Sequence, residues 1–223
     1  MAFILDAIFF AIALLILYKT YFDYVCHRVE EKIFQSIRDG FSYIKNNKQL
    51  IQLMFLHASV GFTAFDTLVT LLSSYHYKYM IAVPLAIGLS NATRAFALMI
   101  GPLIIGNWIN KQRLFNLFIL QGIFIILWAF LQYNFYTQLF GIFLTGLVTT
   151  TLWSYTYTLL QEKVKPYFLG RVLAYNEMIF MFTSIATTLF IGNMASLVDL
   201  NVITTILGLL FFVVGFYYKR ILL

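Results

Sequence analysis

Long apolar runs divide this chain, and its cations fall almost entirely into alternate gaps between them. The runs lie at roughly 1–18, 50–73, 80–107, 114–133, 139–160, 172–197 and 201–218, each near or above the length that crosses a bilayer as a helix. Lys19, Arg28, Lys32, Arg38, Lys45 and Lys48 occupy the first gap. Lys111 and Arg113 lie in another, Lys163, Lys165 and Arg171 in a third, and Lys219 and Arg220 at the C-terminus. The alternate gaps hold Lys78, and Arg94 sits inside a run. Thirteen of the 15 cations are thus expected on one side of a membrane. Cationic loops stay cytoplasmic, so the expected orientation is N-terminus outside and C-terminus in the cytoplasm.

The expected fold is all-α, a polytopic membrane helix bundle of about seven transmembrane helices. With 61% hydrophobic and 19% aromatic residues, the chain has too little polar surface for a water-soluble globule. The net charge of +6 follows from the loops, so it gives no reason to expect a nucleic-acid partner. The partner implied directly is the lipid bilayer. The first run has no cationic segment before it and no small-residue cleavage site after it, so it reads as a transmembrane helix. Cys26 is the single cysteine and reads as a bystander. No metal-ligand cluster and no nucleophile motif stands out, so neither metal, cofactor nor enzymatic activity is expected. Gly88–Ala92 (GLSNA) is a faint approach to a serine-nucleophile turn.

Three regions are expected: a transmembrane helix at 1–18, a cytoplasmic linker at 19–48, and a six-helix unit at 49–223. The linker is amphipathic. Val29, Ile33, Ile37, Phe41 and Ile44 form one stripe at helical spacing, with Glu30, Glu31, Lys32, Arg38 and Asp39 off it. Such a helix rests on the membrane surface or packs on the bundle. The third run carries Pro84, Gly88, Gly101, Pro102 and Gly106, the pattern either of an interrupted helix or of close packing, which suits the glycines better. Gly141 and Gly146 read the same way. Trp108, Tyr75, Tyr77 and Tyr79 fall at run boundaries and read as interfacial anchors.

Ionisable groups within a bilayer cost about 2.5–3.5 kcal/mol or more, so each demands a partner. Arg94 is near mid-span, with Asn91 and Thr93 beside it; it reads as a structural ion pair or a contact for an anionic substrate group. Asp66, in the second run among Thr63, Thr67 and Thr70, is its candidate counter-ion or a proton carrier. Glu177 is expected to pair with Arg171 or the loop lysines. His57 reads as a proton relay or as a hydrogen bond to a neighbouring helix.

Three segments resemble bacterial major facilitator superfamily exporters. Ser36–Leu50 (SIRDGFSYIKNNKQL) is similar to the linker entering their second half, with Asp39-Gly40 where Glu-Gly is usual. Gln161–Pro166 (QEKVKP) and Gly170-Arg171-Val172 resemble the elements between their tenth and eleventh helices, with Lys165 interrupting a Val-Pro pair. Gly106–Arg113 (GNWINKQR) stands where they carry a Gly-x-x-x-Asp-Arg switch motif, with Asn110 for the acid and Lys111 for the arginine. The resemblance implies the sixth to twelfth helices, about half of such a transporter. It therefore implies secondary-active export of a small amphipathic molecule (drug, siderophore or lipid-like) across a bacterial inner membrane. A partner is implied too: an N-terminal half, or a second copy of the chain. Gly106, Asn110, Lys111, Arg113, Gly170 and Arg171 become switch-loop candidates. An inactive remnant or non-transporting membrane protein is the alternative, with an intramembrane enzyme a minor one.

Overall fold

A computed structural model describes residues 2–20 and 33–222, and every regular element among them is helical. The expected readings at Cys26, Arg28, Val29, Glu30, Glu31 and Lys32 lie outside the described residues. The chain divides into two compact units, residues 1–36 and 37–223. In the first, α1 (Ala2–Lys19) is apolar on every side, and its described side chains from Ala7 onward are exposed. A helix of that kind suits lipid, not water.

The second unit is a helix bundle. After α2 (Ile33–Lys45), whose last nine residues belong to this unit, come α3 (Lys48–Ser59), α4 (Asp66–Tyr75), α5 (Val83–Ile105), α6 (Leu114–Leu131), α7 (Phe135–Lys163), α8 (Leu169–Met194) and α9 (Leu200–Leu222). Among the described residues, six segments are long and apolar enough to cross a membrane: Lys48–Tyr75, Val83–Ile105, Leu114–Leu131, Phe135–Lys163, Pro166–Met194 and Leu200–Ile221. A shorter apolar helix, Ala7–Lys19, lies in the first unit. The protein is a multi-pass, all-α membrane protein.

Loop contacts identify the two ends of the bundle. At one end Lys111 meets Glu162 at 3.4 Å, and the Tyr218 hydroxyl donates to the Lys111 carbonyl at 2.6 Å. Lys45, Lys48, Arg113, Lys163, Lys165, Arg171, Lys219 and Arg220 belong to helix termini and loops at this end. The other end carries Lys78, next to a tie in which the Tyr77 hydroxyl donates to the Gln132 carbonyl at 2.7 Å. Tyr77 is therefore not the interfacial anchor its position suggested. It is 1% exposed and packs on Phe135, whereas Tyr75 and Tyr79 are exposed as an anchor would be.

Two expectations about local shape change. The third span, despite Pro84 and Pro102, is the continuous helix α5: Pro84 sits in its first turn, where a missing N–H is tolerated, and Pro102 in its last. The interruption lies in the second span, which has no proline. There a 3-10 turn (Val60–Thr63) and Ala64-Phe65 separate α3 from α4. Gly61 lets the α8 backbone come close at this point, since a Cβ there would stand 3.0 Å from the Phe180 carbonyl oxygen. Packing does explain Gly101, Gly141 and Gly146. A Cβ on them would meet the Leu147 carbonyl oxygen at 2.2 Å, Trp128 at 2.8 Å and Ala97 at 2.8 Å respectively. On α2 the apolar stripe splits. Gly40 and Ile44 are buried, with Gly40 against Arg171 and Tyr175 of α8, while Ile37 and Phe41 are exposed. Tyr43 stacks on Phe168 at 4.3 Å, so this helix is fixed to the bundle by one edge.

Candidate functional site

The break in the second span leaves backbone carbonyls without helical partners, and inside a bilayer each must be satisfied by protein. Ser59 Oγ donates to Leu56 O at 2.6 Å and Thr63 Oγ1 to Val60 O at 2.8 Å. Ala64, at φ −70° and ψ 68°, makes an inverse γ-turn in which Phe65 N–H donates to Thr63 O at 2.8 Å. The same carbonyl accepts a second bond, from Arg94 Nη2 at 2.8 Å. Arg94 lies on α5, eleven residues from either end (83 to 94 and 94 to 105), about 16 Å along the axis each way. Its guanidinium also lies over the Phe65 ring, 5.5 Å from its centroid, and Nη1 stands 3.7 Å from Asp66 Oδ1.

The expected Arg94–Asp66 pair is thus present, but it is built around the break. Arg94 is 17% exposed and braces the backbone, while Asp66, in the first turn of α4, is 79% exposed. A carboxylate at a helix N-terminus also meets the positive end of the helix dipole. Asn91, one turn before Arg94, is exposed. The outward-facing charge of this cluster is therefore the acid, and Arg94 is a support behind it.

A second cluster occupies the α3 half of the same span. His57 is fully buried, its ring ringed by Trp153, Tyr157 and Phe180 with centroids at 5.3–5.5 Å. Nδ1 lies 3.0 Å from Thr156 Oγ1 on α7, so the expected bond to a neighbouring helix exists. Nε2 faces Glu177 Oε1 on α8 at 3.9 Å. Glu177 was expected to pair with Arg171 or the loop lysines, and the fold gives it His57. Arg171 lies over the Tyr167 and Phe168 rings, at 4.9 and 5.7 Å.

The switch-loop candidates form a third group, at the cationic end. Asn110 Oδ1 accepts from the Arg113 backbone N–H at 2.9 Å and so shapes the turn into α6. Arg113 Nη1 donates to Trp108 O at 2.8 Å, with the guanidinium 5.2 Å from that indole. Lys111 bridges to Glu162 at the end of α7. Gly106 ends α5, where a Cβ would strike Pro102 O at 2.2 Å, and Gly170 is exposed with open space around its Cα. Ser90, in the faint nucleophile-like segment, is buried and accepts from Gln138 Nε2 at 2.9 Å.

Sequence reasoning missed Thr63, Thr156 and Glu162. Each acts through a carbonyl, a hydroxyl or a loop contact that no local pattern announces. Among the described residues, no group of three or more His, Cys, Asp or Glu stands ready to hold a metal ion. No family model matches the chain, and no curated protein matches it.

Proposed function

We propose that this protein is one half of a secondary-active membrane transporter of the major facilitator type, exporting a small amphipathic molecule. The observation that carries the reading is a charged pair built into a helix break near mid-span. An exposed acid there, braced by a partly buried arginine, is costly in lipid and serves best on the wall of a polar path. Interrupted helices that present polar groups at mid-membrane are a recurring way for transporters to hold substrate. In this reading the cationic end of the bundle faces the cytoplasm across a bacterial inner membrane, as the bias of cationic loops toward the cytoplasm supports. Lys111 and Glu162 take over the charge contact that Asn110 cannot make. α5 and α8 expose broad faces, including Phe96, Met99, Phe182 and Ile185. These are the faces on which an N-terminal half, or a second copy, closes the path.

The test is efflux of amphipathic dyes, cationic and neutral, from cells that carry the protein. Arg94→Ala is expected to abolish efflux at normal membrane levels, because Asp66 loses its balancing charge and the break its brace. Unchanged efflux in that variant removes Arg94 from the mechanism, and efflux no greater than that of cells lacking the protein favours a non-transporting membrane protein.

A further inference from the structure

The His57 cluster is separate from the Arg94–Asp66 site and is determined in unusual detail by its hydrogen bonds. Thr156 Oγ1 donates its one proton to Leu152 O at 2.7 Å, with Trp153 O also near at 3.1 Å. Toward His57 the hydroxyl can therefore only accept, so the hydrogen of the neutral imidazole sits on Nδ1. Nε2 is then a bare lone pair. It is buried, has no hydrogen-bond partner, and points at a carboxylate oxygen 3.9 Å away. Two acceptors facing each other at such a place lack one proton between them.

We infer that His57 and Glu177 together form a single-proton binding site, whose occupancy sets the spacing between α3 and α8. A proton taken up on Nε2 gives an imidazolium–carboxylate pair; on Glu177 it gives a carboxyl O–H that donates to Nε2. No other bond changes in either case. Both forms draw the two atoms from 3.9 Å toward the about 2.7–2.9 Å of a charge-assisted hydrogen bond. Loss of the proton lets α8 relax outward. Glu177 is 37% exposed and His57 is not exposed at all, so the carboxylate is the entry point and the imidazole the interior seat. Among the described residues, the groups facing His57 are Glu177 and Phe180 from α8, and Trp153, Thr156 and Tyr157 from α7. Of these, Glu177 supplies the charge, and the Tyr157 phenol is the other titratable group. The pair sits eight or nine residues into its helices from the cationic end, about 12–14 Å deep. The inference does not depend on the transporter reading.

The experiment is nitrogen NMR of the imidazole in nanodiscs, using the full chain with His27→Asn and His76→Asn so that His57 is the remaining histidine. The expected result is the Nδ1–H tautomer at high pH and a single protonation on lowering it. Glu177→Gln should displace the midpoint by about one pH unit or more, and Glu177→Asp by less. Replacing sodium with choline should leave the titration unchanged. An Nε2–H tautomer, a midpoint indifferent to both Glu177 variants, or a response that requires sodium would each overturn the proposal.

Discussion

Where α6 runs beside α9, Gly122 and Gly208 lie back to back, and a Cβ on Gly122 would stand 2.8 Å from the Gly208 carbonyl oxygen. Gln132 Nε2 donates to Thr204 Oγ1 across the same seam at 2.8 Å, and Phe118 and Phe211 stack within it. The segment containing α8 matches the broken second span in length and is nearly as apolar, yet 11% of its most apolar stretch is buried, against 61% for that span and 44% for α6. Its Gly192 has nothing near it. Lipid tails are as apolar as leucine, so hydrophobicity alone cannot pull membrane helices together. Small residues and matched polar pairs do that work in the seam. α8 buries one narrow face, through Val172, Asn176, Thr187 and Ile191, and neither Asn176 nor Thr187 makes a side-chain hydrogen bond to a neighbouring helix. The contrast separates a fixed scaffold, α6 with α7 and α9, from a helix held lightly along one edge, which is the helix that carries Glu177.

Three substitutions probe this contrast. Gly122→Val forces a branched side chain between two backbones and is expected to destabilise the bundle by about 3 kcal/mol, read from unfolding in detergent. Wild-type stability in that variant would mean that the seam is not close-packed. Gln132→Leu removes one interhelical hydrogen bond and should cost about 1 kcal/mol in the same assay. A loss no greater than that of an exposed control would show that packing, without the polar pair, holds the seam. Gly192→Ala should change stability by less than about 0.5 kcal/mol. A large loss there would reveal a surface that covers α8.

Much of the scaffold was legible beforehand. Run lengths predicted six of the expected seven spans, with the first run giving a shorter apolar helix; the gaps predicted which end collects the cations, and the cost of lone charges predicted that Arg94 would find Asp66. The break was not legible, because residues 50–73 form one long, mainly apolar run without proline. What stabilises it is a guanidinium thirty-one positions away, at Arg94, and hydroxyls at Ser59 and Thr63 that look like ordinary helix polarity. The prolines misdirected attention to α5 because their positions within the helix, first and last turn, decide whether they interrupt it. His57 and Glu177 were each visible, but their meeting depends on the rotation of α3 and α8. Helices that are apolar all round do not reveal that phase in sequence. The same limit explains α2, where the stripe predicted one apolar face and Gly40 moved the contact toward Ile44.

The most direct test of the central claim is the water accessibility of the face in front of Arg94. In a Cys26→Ser background, Asn91→Cys on α5 and Ile123→Cys on the exposed side of α6 are treated with a membrane-impermeant charged thiol reagent. Both positions are exposed and near mid-span, so lipid burial alone would protect both. A polar path predicts rapid labelling at 91 and none at 123. Equal protection of the two would contradict the account, leaving Arg94 and Asp66 as a structural brace within lipid.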